Sequence, residues 1–180
     1  MLFKLILAVI SISTIVFLGN YSVSASPYGT GIYNANVPYG GETQISLATN
    51  GSINIPITPS TSGVLGTNSS VVTVTSTDVV GYKLYVRALS SSNLTNGAAV
   101  LGASANITGA ALATNTWGYN IDASANFIGA TTSDQLVRTR SGPYKTGDVT
   151  TFTYGVKIDL AKPAGLYSTT IMYTAIPQTN

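Results

Sequence analysis

Glu42, Asp78, Asp122, Asp134, Asp148 and Asp159 are the whole acidic inventory of a 180-residue chain that has neither histidine nor cysteine. Without imidazole or thiolate the usual triads, dyads and zinc sites cannot be assembled, so catalysis would need a Ser-Lys or carboxylate-only mechanism. A glycosidase needs two acids facing one bond. These acids lie singly among strand ends and loops, where aspartate ordinarily caps a turn with its own side chain. Calcium could be imagined between Asp122, Asp134 and nearby carbonyls, but the Asp-x-Asp spacing that concentrates hard oxygen ligands is missing. The residue inventory therefore points away from an enzyme and requires no metal or cofactor.

Binding is the alternative chemistry. Trp117, Tyr119 and Phe127 lie in a loop-rich middle stretch, where exposed rings could stack on sugar faces or anchor a partner protein. The competing reading sets Trp117 in the core beneath the loop, since large rings are mostly buried. Asn50, Asn68, Asn93 and Asn106 each head an acceptor triplet for glycosylation, a pattern that arises by chance in a chain so rich in Asn, Ser and Thr. The eight Lys and Arg give a net charge of +2 and are scattered. No phosphate-tracking stripe can be drawn, so nucleic acid is not an expected partner.

Charged residues are 8% of the chain, against roughly 25% in ordinary soluble domains. The surface must then be neutral and hydroxyl-rich. Branched and aromatic side chains pack well on a half-buried sheet, and the many Val, Ile, Thr and Tyr favour strands over helices. With no cysteine, the fold stands on packing and backbone ladders alone.

Residues 1–25 read as a signal peptide: Lys4 is the positive end, Leu5 to Leu18 the apolar run, and Val23-Ser24-Ala25 the small residues before cleavage between Ala25 and Ser26. Gly19-Asn20 stops the run short of the roughly 20 residues that a spanning helix needs. No later stretch is apolar enough to span, so no membrane span is expected after cleavage. The last four residues carry no hydrophobic tail or sorting motif, and retention at a surface would be non-covalent. Residues 26–41, with Pro27-Tyr28-Gly29 and Pro38-Tyr39-Gly40-Gly41, read as a flexible arm. Such an arm is either a mobile terminus or an element that docks on a neighbour.

The body, residues 42–180, alternates with period two between turn signals. Strands are expected at Gln44 to Thr49, Ile53 to Thr58, Val71 to Ser76, Gly81 to Leu89, Val149 to Leu160 and Leu166 to Ile176. Phe152, Tyr154, Val156, Ile158 and Leu160 share one face, as do Tyr82, Leu84, Val86 and Ala88, and Tyr167, Thr169, Ile171 and Tyr173. Two packed antiparallel sheets would cover these faces, giving an all-β, immunoglobulin-like β-sandwich. From Asn93 to Asp134 we expect one or two short strands and otherwise surface loops.

Pro163-Ala164-Gly165-Leu166-Tyr167, followed by the Thr-rich run to Ala175, resembles the closing hairpin of bacterial secreted cell-surface β-sandwich proteins. Val80-Gly81-Tyr82-Lys83-Leu84 and Asn115-Thr116-Trp117-Gly118-Tyr119 add to the likeness, which covers about residues 70 to 176. The chain is also distantly similar to Trp-x-Leu cell-wall-binding domains and to fimbrial or spore-coat subunits. It departs from these at Gly118-Tyr119, in having no second Trp motif, and in lacking the fimbrial cysteines. The resemblance implies a surface protein of this architecture and transfers no binding residue. Gly165 would permit the turn, and Tyr167 would hold the corner by its hydroxyl, as in immunoglobulin-like sandwiches. The expectation is a non-enzymatic structural or adhesive protein, secreted or at the cell surface, such as a surface-layer or filament subunit. Its partners would be copies of itself or a cell-wall or surface glycan, the latter pointing to a carbohydrate-binding module acting through the loop aromatics.

Overall fold

A computed structural model describes residues 8–16, by their backbone, and residues 43–178. The expected cleavage at Ala25 and Ser26 and the arm of residues 26–41 lie outside the described residues. Eleven strands and no helix are present among them: β1 Ala8–Val16, β2 Gln44–Thr49, β3 Ile53–Ile57, β4 Val64–Thr77, β5 Gly81–Ala88, β6 Leu94–Asn96, β7 Ala99–Ala103, β8 Thr116–Asn120, β9 Gln135–Ser141, β10 Asp148–Ile158 and β11 Leu166–Gln178. The chain is all-β.

Period-two alternation decides which residues face inward. Phe152, Tyr154, Val156 and Ile158 of β10 are fully buried, as are Tyr82, Leu84, Val86 and Ala88 of β5 and Tyr167, Ile171 and Tyr173 of β11. Removing each large apolar side chain from water contributes about 1.5–3 kcal/mol. Leu160, expected on the same face of β10, is half-exposed because the strand ends at Ile158 and the chain turns away.

The ladder runs β2-β4-β10-β8-β7-β6-β11-β1-β3; off this path β5 pairs β11 at Ile171 to Gln178, and β9 pairs β5. Pairs are antiparallel except β1–β11 and β7–β8. Instead of the two separate sheets that the sequence leads one to expect, the strands are hydrogen-bonded into one sheet. The β6–β7 hairpin makes the join, with Thr95 opposite Ser168 of β11 and Ala103 opposite Trp117 of β8. Both halves line one core, where the Phe152 ring of β10 lies 4.8 Å from that of Tyr173 of β11.

The middle stretch holds β6, β7 and β8, more than expected. At the last corner Gly165 has φ +149°, and a Cβ there would fall on the Asn96 side chain. The Tyr167 hydroxyl donates to Pro163 O at 2.9 Å, closing the corner as the sequence suggested.

Candidate functional site

Trp117, Tyr119 and Phe127 are brought together around β8, but inside the molecule. Trp117 is fully buried, and its indole N–H donates to Ser92 O at 2.8 Å. Tyr119 packs on Phe152 with centroids 6.0 Å apart, and burial pushes its hydroxyl up to about 12. Phe127 covers Gly155 so closely that a Cβ there would lie 2.5 Å from the ring.

Gly118 and Gly155 are opposite each other in the β8–β10 ladder. This pair of glycines explains the Trp-Gly-Tyr segment: a Cβ at Gly118 would meet Ile128 O at 2.5 Å. The missing side chains make a trough into which Phe127 and Ile128 settle, with Tyr119 and Ile128 exchanging backbone hydrogen bonds. None of the three rings presents a face to solvent, which removes the exposed platform that sugar stacking needs.

Beside this trough is a shallow depression lined by the largely buried Tyr119 together with Asn120, Asp122, Asn126, Ile128, Leu136 and Val137. Asn120 is buried and its amide donates to Ser124 O and Asn126 O. Its Oδ1 is the one buried side-chain polar atom among the described residues without a hydrogen-bond partner. It can accept a hydrogen bond, and the acid lining the same depression, Asp122, is engaged with the Ser124 N–H.

Charge is concentrated at the seam between edge strand β9 and the start of β10, which no ladder closes. Arg138 and Arg140, two apart on one face of β9, reach across it. Arg138 Nη1 donates to Val149 O at 2.9 Å and Thr150 Oγ1 at 2.7 Å, and Arg140 Nε pairs with Asp148 Oδ2 at 2.9 Å. The Tyr82 hydroxyl donates to the same oxygen at 2.5 Å. Burial works against the Asp148 charge, but hydrogen bonds from Tyr82 and Arg140 and the charges of both arginines hold its carboxyl below the usual range. Burial, with the Asp148 hydrogen bond adding to it, pushes the Tyr82 hydroxyl well above its usual value. A carboxylate so saturated is a poor proton acceptor. It is a fastener that blunts an open edge.

Three further carboxylates are also engaged. Asp159 accepts from Asn115 Nδ2 and the Ala161 N–H, and these bonds depress its pKa. Asp122 caps the Ser124 N–H, and Asp134 faces Arg87 at 3.4 Å. The structure thus gives Asp122 and Asp134 separate structural partners.

Asparagine carboxamides, which sequence reasoning passed over, fasten the loops. Asn106 Nδ2 donates to Ala110 O, Ala111 O and Phe127 O. Asn50 Oδ1 accepts from Ser70 Oγ and the Val71 N–H. Both head glycosylation triplets, and their side chains face internal partners. The available signal was the excess of Asn flanked by Gly, Ser and Thr, since Asn competes for local backbone groups. No family model matches the chain, and no curated protein matches it.

Proposed function

We propose that this is a non-enzymatic secreted or cell-surface protein that acts as a structural or adhesive subunit. The observation that carries the reading is the use of the chemistry-bearing side chains. Asp148, Asp159, Asp134 and Asp122 are engaged in holding strands and turns together. Apart from Lys157, what faces water along the middle of β4 and β10 is neutral, with hydroxyls of Ser69 and Thr153 bonded across the ladder at 3.1 Å. Such a face suits contact with other neutral surfaces, and β2 offers a sheet edge for pairing. The C-terminal hairpin resemblance supports the same reading.

The test is where the protein goes and what it does there. Cell fractionation with intact-mass analysis should find it outside the cell, starting at Ser26. Light scattering of that material should show self-association, or sedimentation with cell-wall preparations should show adhesion. A full-length protein confined to the cytosol overturns the proposal, as does turnover of a substrate by the purified chain.

A further inference from the structure

β1 is taken from the stretch that the sequence reads as the apolar core of a leader, yet it fills the gap between β3 and β11. Val9 to Val16 lie parallel to Leu166 to Tyr173, and Ala8 to Ile12 lie antiparallel to Ile53 to Ile57. β3 has no other ladder partner. On its far side the Asn68 amide bonds Asn54 O. Its inward side chains are nevertheless fixed in the core: Ile53, Ile55 and Ile57 are buried, and Gly66 of β4 lies so close that a Cβ would meet Ile57 at 2.5 Å. Removing the leader would leave β3, and β11 from Leu166 to Tyr173, with unpaired backbone groups beside side chains that are buried on one face of each strand. Each unpaired buried N–H or C=O is costly. The slot needs an occupant.

We propose that in the processed chain the slot between β3 and β11 is filled by the chain's own residues Thr30 to Val37, so that leader removal is accompanied by exchange of one strand for another. The inference rests on the leader being cleaved. Three observations select this segment. First, although the arm as a whole reads as linker, Tyr33, Ala35, Val37 and Tyr39 alternate with Asn34, Asn36 and Pro38, a period-two pattern. Second, setting Thr30 to Val37 opposite Leu166 to Tyr173, in the direction β1 takes, places Tyr33, Ala35 and Val37 beside Thr169, Ile171 and Tyr173. Those three positions lie on the core-facing side of β11, where Ile171 and Tyr173 are buried.

Third, the exit fits. A strand parallel to β11 leaves the slot toward the end where β11 finishes. The body resumes there: Thr43 Oγ1 donates to Asp78 O, and Val80 N–H, two residues on, donates to Gln178 O. Pro38 to Glu42 separate Val37 from Thr43. Val37, beside Tyr173, lies five residues short of Gln178, about 16 Å along the strand; six Cα steps reach about 20 Å, enough to cover that run when nearly extended and begin β2. Gly40-Gly41 supplies the bend. A donor tethered this closely has a high effective concentration and outcompetes a neighbouring copy.

The exported protein provides the test. Intact mass is read first: a start at Ser26 is expected, whereas a start at Met1 leaves β1 in the slot and ends the proposal. Hydrogen exchange on the unmodified mature chain should then find the slot-facing amides within Ile53 to Ile57 and Leu166 to Tyr173 protected, roughly a hundredfold or more slower than open chain. Rapid exchange there would mean a vacant slot and would overturn it. The absence of cysteine gives a clean background for Asn34→Cys with Thr170→Cys, directly opposite and on the outward side in the proposed register. Oxidation should join them within one chain. Cross-links between isotopically light and heavy copies would show a strand donated by a neighbour, and no cross-link in a protected slot would exclude this segment; either result overturns the assignment.

Discussion

The hydroxyls of Tyr154 on β10 and Tyr173 on β11 are hydrogen-bonded to each other in the middle of the core. This polar contact joins the two halves of the sheet where Phe152, Tyr154 and Tyr173 cluster. Burial, with Tyr173 adding to it, pushes the Tyr154 hydroxyl far above its usual range, so Tyr154 enters the bond as a neutral group. Tyr154→Phe is expected to cost about 1–2 kcal/mol. In a double-mutant cycle with Tyr173→Phe the two losses should not add, because they remove one shared bond. Denaturant unfolding of the four proteins checks this; additive losses would show that the contact contributes no coupling.

Asp148 predicts a pH dependence with a definite sign. Its carboxyl lies lower in the fold than the 3.8 of an unperturbed aspartate. The native state therefore releases the proton more readily than the unfolded chain does. The resulting stability is present in full above the unfolded value and is lost as pH falls toward the folded one. Asp122 and Asp159 shift the same way. Unfolding between pH 7 and pH 2 should show stability falling in the acid range. Asp148→Asn should cost about 1.5–3 kcal/mol at neutral pH, the range for hydrogen bonds to charged groups, and make the acid limb shallower without abolishing it. An unchanged limb would mean that Arg138 and Arg140 do not depend on this carboxylate.

The strands β2, β3, β5, β10 and β11 were legible because each buries one face and exposes the other, which writes period two into the chain. The first half of β4 was not, because Leu65, Gly66, Asn68 and Ser69 carry no such alternation. Those residues are held by pairing with β10, Gly66 opposite Val156 among them. Trp117 and Phe127 were visible as large rings, but their burial depends on Gly118 and Gly155 meeting across a ladder, and on Ile128 coming back onto Tyr119. The Asp148 fastener was hidden for the same reason, since Tyr82 lies 66 residues away. β1 was read from its composition as a leader, and composition alone does not reveal a slot in a sheet.

The corner at Tyr167 was readable from five residues and gives a local test. Its hydroxyl bond to Pro163 O spans four residues and fixes the entry into β11. Tyr167→Phe keeps the buried ring and removes this bond, at an expected cost of about 1 kcal/mol. Gly165→Ala should cost more, because positive φ and the overlap with Asn96 act together. Thermal unfolding of the two variants ranks them; the reverse order would mean that the hydroxyl, not the turn backbone, sets the corner.

Trp117 separates a packing role from a binding role. It is fully enclosed on β8, and its indole N–H is satisfied by Ser92 O. Trp117→Ala leaves a large cavity and an unpartnered carbonyl, and is expected to destabilise by about 3–5 kcal/mol. Trp117→Phe keeps most of the volume and loses the N–H, so its cost should be smaller. If the ring only packs, any affinity of the protein for glycans should survive in the folded Trp117→Phe variant. Calorimetry against soluble wall fragments, at a temperature where circular dichroism shows the variant folded, makes the comparison. Loss of binding with the fold intact would return Trp117 to the surface as a contact residue.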